Sequence, residues 1–479
     1  MTQAGFFALV YAAGLAFNLA TGPHRDAPLS CALAFPCGLT LWVLGALAGV
    51  ATGLGSATAS GTGALLAIGV VSGGAAIRRR RTPGSWVQLL AGTCLFVAAS
   101  AILCSFSLAK ASPDSLQYTR MATVFARGGG LDETAAFFLA DRGVFTFLAH
   151  AASKLAGVDY MDALPSVTAM AFIALFAVVT VRALTSEGVG VRVAAIAATG
   201  VTAAVMSTYI VAYHMFYIHS NFGSALFLFG FAALFWLAER RDDPSTLVAA
   251  FVCLVAFTLE RVEAPLFTAL FAALAVWPSR LPRPLLAAGL AATGAITAAW
   301  LLRLAATIPA DSDFLTPWRA LALSLLVLAP LAGLPLVRHL PRRALAQHLP
   351  HALLAVTVAG VGLAFVLKPD HMAESVAALA TNLLGIRTAL WGYVWWVALA
   401  LAALSLATPP LRVGRPLLVG VAVALLTVIL LSFFRPPYRV GLADSASRMS
   451  IHFVPLLYFL YAVKFVPLLA RPTTAEVIG

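Results

Sequence analysis

WVQLLAGTCLFVAASAILCSFSLA, residues 86–109, followed at once by Lys110-Ala111-Ser112-Pro113-Asp114-Ser115-Leu116-Gln117-Tyr118, is the stretch on which the fold turns. Its 24 residues hold no charge. As a helix they extend about 36 Å at roughly 1.5 Å per residue, enough to cross a hydrocarbon core about 30 Å thick. Pro113 disfavours the helical conformation in the residue before it, so the span ends there. Asp114 can cap the helix that follows, the plainer reading of its spacing, or it can face a cavity. A membrane crossing therefore delivers an aspartate to one surface of the bilayer.

The same kind of run recurs outward from this point in both directions. Apolar segments fall at roughly 4–20, 29–50, 63–77, 165–184, 193–209, 222–238, 246–259, 264–277, 285–304, 319–337, 351–367, 387–408, 417–434 and 451–469. Together they predict an all-α polytopic membrane protein of about 13–15 transmembrane helices. Composition agrees: 61% of the 479 residues are hydrophobic and 10% charged, whereas a soluble domain carries about 25% charged residues. A soluble enzyme and a disordered chain are both excluded. The formal charge of +12 reports membrane orientation rather than a nucleic-acid partner, since basic stripes with interleaved aromatics are absent. Cys31, Cys37, Cys94, Cys104 and Cys253 lie in or beside apolar runs and form no metal or disulfide pattern. The opening Met-Thr-Gln lacks a positive region, so the first run is expected to remain as a helix.

Sidedness follows from the connectors. Arg78–Arg81, Arg182 with Arg192, Arg240-Arg241, Arg280 with Arg283, Arg338 with Arg342-Arg343, and Arg412 with Arg415 mark short basic links. Placing all of them in the cytoplasm skips no span. The tail 470–479 then lies inside. The segments 110–164, 210–221, 305–318, 368–386 and 435–450 lie outside and hold most of the Asp, Glu, His and Tyr. The segment 110–164 reads as a large first outer loop of horizontal or re-entrant helices. In its first helix Leu116, Met121, Val124 and Phe125 are expected on the apolar side, and Arg120 and Arg127 toward water. Asp141-Arg142-Gly143 precedes a second apolar helix at 144–155. Three units are expected: 1–85 with three leading helices, 86–277 with the outer loop, and 278–479 with an Arg-rich outer loop at 435–450.

Chemistry-bearing residues concentrate on the outer side. Glu260-Arg261-Val262-Glu263 interrupts two short apolar runs, and ionisable groups so placed face a cavity or one another. A hairpin tip would more usually carry Gly, Asn or Ser. His214, Tyr217, His219 and Asn221 form an aromatic-polar cluster whose histidines, five apart, do not match zinc spacing. Arg435, Arg439 and Arg448 stand on one outer loop beside a single acid, Asp444. Guanidinium forks bind phosphate with paired hydrogen bonds, so a lipid headgroup or the phosphate of a substrate lipid fits them. His371 and Glu374, with Lys368 and Asp370, are expected to join the same cavity.

With those residues in view, the chain resembles the GT-C superfamily of integral-membrane glycosyltransferases. The likeness rests on Pro113-Asp114 to Tyr118 after a long span, on the Arg261-Val262-Glu263-Ala264-Pro265 break, and on Asp444-Ser445-Ala446-Ser447-Arg448-Met449 followed by Pro455-Leu456-Leu457. It frames most of residues 86–470. The chain departs from the family pattern in having Ser115 after Asp114 where many relatives carry paired acids; Asp132-Glu133 comes later. The resemblance implies a sugar moved from a polyprenyl-phosphate donor to a hydroxyl on a glycan or lipid acceptor. Membrane lipids are the further partners implied. The reaction would face the periplasm or exterior of a plasma (inner) membrane. It implies Asp114 as general base, Arg448, Arg439, Arg435 and Arg261 on the donor phosphate, and Tyr118, His214, His219, Asn221, Glu260, Glu263, His371 and Asp444 around the substrate. No cofactor is certain; the family leaves room for a divalent cation, Mg or Mn. The alternative is a lipid-linked oligosaccharide polymerase or ligase, or a polyprenyl-lipid flippase or transporter.

Overall fold

The computed structural model describes residues 1–22, 26–78, 83–106, 108–109, 113–140, 142–308, 315–385, 390–408, 414–442 and 444–470. Within them the chain is helical, and no strand occurs among the described residues. Arg79–Arg81, Lys110, Asp141, Arg412 and the tail from 471 onward, all named above, lie outside the described residues.

Four helices open the chain: α1 (Gln3–Thr21), α2 (Ala27–Thr52), α3 (Ala57–Ile77) and α4 (Pro83–Cys104). Shorter helices follow between α4 and the next long helix: α5 (Pro113–Ala126), α6 (Glu133–Leu139), α7 (Phe145–Ala151) and α8 (Ser153–Ala156). Then come α9 (Leu164–Ser186), α10 (Val191–Met206), α11 (Tyr209–His214), α12 (Ser220–Arg241), α13 (Leu247–Glu260) and α14 (Ala264–Val276). The remainder is α15 (Arg283–Ala305), α16 (Pro317–Val337), α17 (Arg342–Leu367), α18 (Pro369–Leu384), α19 (Val394–Ala407), α20 (Arg415–Leu431), α21 (Ser445–Met449) and α22 (Val454–Leu469). Side-chain caps begin several of them. Thr2, Asp26, Ser56, Asp132, Thr316 and Asp444 each accept from a backbone N–H three residues on, satisfying donors that a helix start leaves free.

Each of the fifteen apolar runs contributes a helix among its described residues, but they differ in reach. Among the described residues, ten helices are long and apolar enough to cross a membrane, or eleven if α21 and α22, bent by 40°, count as one span. The other four, α10, α13, α14 and α19, have 13 to 16 residues, below the roughly 20 of a straight crossing. These helices make the chain a multi-pass membrane protein in association with membrane lipids.

The leading helices pack on the rest through one continuous core, which holds Phe6, Phe7 and Trp42 together with Phe172, Phe229 and Phe459. Gln3 Nε2 donates to Asp162 Oδ1 at 2.6 Å, and Thr58 Oγ1 to the Ala151 carbonyl at 3.2 Å, tying α1 and α3 to the outer loop. Polar groups gather at the two ends of the bundle. At one end Asp26 meets Arg182 at 2.8 Å and Arg241 at 3.9 Å, Arg240 pairs with Glu187, and Ser279 Oγ donates to Glu239 at 2.6 Å. The connectors holding Arg182, Arg240-Arg241 and Arg280 thus share a face. Because Glu239 and Ser279 meet there, α13 and α14 leave and return to that end, and the break at 261–263 turns at the other.

In α5 the buried face is Tyr118, Met121, Ala122 and Phe125, at the i, i+3, i+4 and i+7 positions of one helix side. This corrects the expectation for Leu116, which is 67% exposed. At about 100° per residue Leu116 falls on the opposite side of the helix from that stripe. Arg120 and Arg127 are exposed as expected.

Candidate functional site

Two clusters form at the end opposite the basic connectors. The first centres on Asp114, in the opening turn of α5. Its Oδ2 accepts from the Tyr217 hydroxyl at 3.2 Å and from Arg448 Nη1 at 3.2 Å, and its Oδ1 lies 3.8 Å from Arg142 Nη2. The carboxylate is 33% exposed and the two guanidinium side chains 19% and 16%, so the group is sheltered yet reachable. Four elements supply it: α5, the turn before α7, the link between α11 and α12, and α21. The aspartate therefore does more than begin a helix.

The second cluster is the break between α13 and α14. Glu260, Arg261 and Glu263 are all buried. Arg261 Nε donates to Glu263 Oε1 at 2.6 Å and Nη1 to Asn221 Oδ1 at 2.8 Å, while Arg435 Nη2 lies 3.8 Å from Glu263 Oε2. Asn221 is a junction. Its Oδ1 also faces His452 Nε2 at 3.3 Å, and its Nδ2 faces His214 Nε2 at 3.4 Å. The charges at the break thus pair with one another and with the outer segments rather than tipping a hairpin. Glu260 turns elsewhere and accepts from Thr146 Oγ1 at 2.6 Å. Two glycines make room for it. A Cβ on Gly143 would stand 1.9 Å from the Glu260 carbonyl carbon, and one on Gly223 2.0 Å from its carboxylate oxygen.

Between the clusters lies a small chamber of about 40 Å³ whose polar lining includes Thr146, His150, His214, Tyr217, His219 and Glu260. Phe145, Phe222, Phe227 and Leu39 form its apolar wall. Tyr217 connects it to Asp114. The Tyr217 ring stacks on His219 with centroids 5.5 Å apart. Burial pushes His214 down to about 4; the Ile210 carbonyl opposes this, and the charges of Arg448 and Arg261 add to it. Burial likewise pushes His150 down to about 4, against the pull of Asp162. His219 is held well below its ordinary value by burial and then by Arg448 and Arg261. All three imidazoles are therefore neutral near pH 7.

Several expected site residues are elsewhere. Tyr118, Asn221, Glu263, His371 and Asp444 do not line the chamber. Tyr118 is fully buried in packing, stacked on Phe147 at 4.4 Å and donating to Ser220 Oγ at 3.1 Å. His371 sits 2.8 Å from the Ser432 carbonyl and Lys368 Nζ 3.0 Å from that of Phe433, so this pair ties α18 to the end of α20. Asp444 caps α21, accepting from Ser447 N at 2.7 Å and Arg439 N at 3.1 Å. Burial raises its carboxyl, and those two N–H groups oppose the rise. The three arginines of this loop also part company. Arg448 goes to Asp114, Arg435 to Glu263, and the Arg439 side chain is exposed while its backbone makes its hydrogen bonds.

Hydrogen bonds to neighbouring helices anchor the arginine loop. Asn382 donates to the Arg439 carbonyl at 2.8 Å and accepts from Gly441 N at 2.8 Å. Ser375 Oγ accepts from Tyr438 N at 3.2 Å, and the Tyr438 hydroxyl donates to the Val428 carbonyl at 2.6 Å. Sequence reading leaves out Arg142, Thr146, His150, Asn382 and His452 as site residues. Arg142 stands beside Asp141-Gly143, where a glycine between a charge and an apolar run is the available signal; the others carry none.

Among the described residues no group of three or more His, Cys, Asp or Glu could hold a metal ion. Among the described residues Asp114 is met by two guanidinium groups and a phenol rather than by the set of oxygen ligands a hard divalent cation takes, so these residues do not fit Mg or Mn. Comparison with protein-family models, with curated proteins and with solved structures finds no match.

Proposed function

We propose that this membrane protein is a GT-C-like glycosyltransferase that moves a sugar from a polyprenyl-phosphate donor to an acceptor hydroxyl, working at the end of the bundle that holds Asp114. The observation that carries the reading is the pairing of one reachable carboxylate with Arg448 at 3.2 Å and Arg142 at 3.8 Å. Such a pair offers a base for a hydroxyl and a clamp for a phosphate within one side chain's reach. The arginines at the far end support placing that end in the cytoplasm, which would put the Asp114 end at the exterior or periplasm of a plasma membrane.

In this reading the donor phosphate competes with Asp114 for Arg448, so loading the donor frees the carboxylate. Asp114 then accepts the proton of the acceptor hydroxyl. The acceptor oxygen bonds to the anomeric carbon as the bond from that carbon to the phosphate oxygen breaks. The electron pair of the broken bond stays on the phosphate, where Arg448 and Arg142 stabilise it. One displacement inverts the anomeric centre. A positioned base contributes roughly 10²–10⁴-fold. Arg435 and Arg261, paired with Glu263, would support the site's shape rather than hold the phosphate, and Arg439 would meet solvent or headgroups.

A polymerase, ligase or flippase for lipid-linked glycans would use the same arginines; the flippase alone needs no base. The test is transfer of radiolabelled sugar from a synthetic polyprenyl-phosphate hexose in proteoliposomes. Asp114→Asn is expected to lower turnover at least about 100-fold while donor binding persists. Full turnover in that variant would remove Asp114 as the base, and lipid movement without transfer would favour the flippase.

A further inference from the structure

The chamber beside Asp114 has a composition of its own. Among the described residues its lining contains no arginine or lysine, although Arg142 and Arg448 stand at the neighbouring carboxylate. It presents hydroxyls from Thr146, Thr168 and Tyr217, imidazoles from His150, His214 and His219, and the Glu260 carboxyl group. His150 is 1% exposed and its Nδ1 has no hydrogen-bond partner among the described residues. A buried polar atom left so costs about 1–3 kcal/mol, which a native protein tolerates where a ligand or water completes the bond. The volume of about 40 Å³ accepts about three waters at roughly 10–15 Å³ each, or a hydroxymethyl group with one adjoining hydroxyl.

We infer that this chamber is a binding subsite for an uncharged, hydroxyl-bearing group of the substrate, a neutral sugar rather than a uronic acid. The inference rests on the proposed glycosyltransferase reading and adds the class of sugar to it. A hydroxyl finds both donors and acceptors on these walls. A carboxylate would be buried beside Glu260 with no cation among the described lining residues to pair with it directly, only the more distant charges of Arg448 and Arg261, a penalty that neutral hydroxyls escape.

The test uses the full chain in phosphatidylcholine nanodiscs and three synthetic probes of equal prenyl length: the bare prenyl phosphate, its hexoside and its hexuronoside. Binding is read by competition with radiolabelled prenyl phosphate. The hexoside is expected to bind about tenfold or more tightly than the hexuronoside. His150→Phe and Thr168→Val are each expected to cut the hexoside's advantage over bare prenyl phosphate severalfold, with bare phosphate affinity held within about twofold. Thr168→Val, a near-isosteric change at a half-buried position, serves if His150→Phe fails to fold. Equal binding of hexoside and hexuronoside, or an advantage that survives the variants, overturns the chamber's role and leaves the glycosyltransferase reading standing. Failure of all three probes to bind overturns both.

Discussion

Replacing Glu263 by Gln removes one negative charge from between two sheltered guanidinium groups. The Arg261 side chain is 10% exposed and touches Glu263 at 2.6 Å; Arg435 is 18% exposed at 3.8 Å. Glutamine keeps the shape and an amide oxygen that can still accept from Arg261. It cannot neutralise either cation. Breaking a buried ion pair by altering one partner costs about 3–5 kcal/mol, because the remaining charge stays out of water. The retained amide bond and the looser Arg435 contact place this variant at the low end, about 3 kcal/mol. That is about a hundredfold in the folded-to-unfolded ratio. Unfolding in mixed micelles, followed by tryptophan fluorescence, measures it directly. Arg439→Ala on the same side of the protein supplies the control, since its exposed side chain is expected to contribute under about 0.5 kcal/mol. If Glu263→Gln were as stable as the control, the break between α13 and α14 would not be a structural ion-pair network.

Further outcomes follow from other contacts. Gly143→Ala places a Cβ 1.9 Å from the Glu260 carbonyl carbon, and is expected to cost about 1–3 kcal/mol or more through forced backbone movement, visible in the same unfolding assay. Arg448→Ala is expected to weaken prenyl-phosphate binding about 10–100-fold, the loss of a hydrogen bond to a charged group, whereas Arg439→Ala leaves it unchanged; equal losses would dissolve the distinction between the two arginines. His214, held down to about 4 against an ordinary value of about 6.5, takes up a proton in the unfolded chain before it does so in the folded one. Its contribution is present above pH 6.5 and is lost as pH falls toward 4, about 3 kcal/mol in all. His214→Gln is expected to flatten the pH–stability curve by that share.

Much of the fold is legible in the chain because a membrane helix must satisfy its own backbone. Each apolar run consequently became a helix wherever it stood. Reach was harder to read: α13 and α14 stop at 14 and 13 residues because Arg261 pairs across to Glu263, Asn221 and their neighbours, which periodicity does not register. The site was legible in its residue types but not in its partnerships. Asp114 and Arg448 are 334 positions apart, and their meeting is set by how α5 and α21 pack. His371 and Asp444 have the chemistry of a cavity residue, yet one ties two helices together and the other starts a turn. Tyr118 has a hydroxyl that a cavity could use, but its place on the inner stripe of α5 decides its role.

The double hydrogen bond from Asn382 to the backbone on either side of Val440, with Ser375 and Tyr438 behind it, bears on affinity. A recognition loop that is floppy when empty must surrender its freedom on each encounter, and affinity falls by that amount. Here the segment leading to Arg448 is moored to α18 and α20 by the fold's own hydrogen bonds. If Arg448 holds an anion as proposed, a segment fixed in this way would not have to be ordered on each encounter, so little affinity would be lost to ordering it.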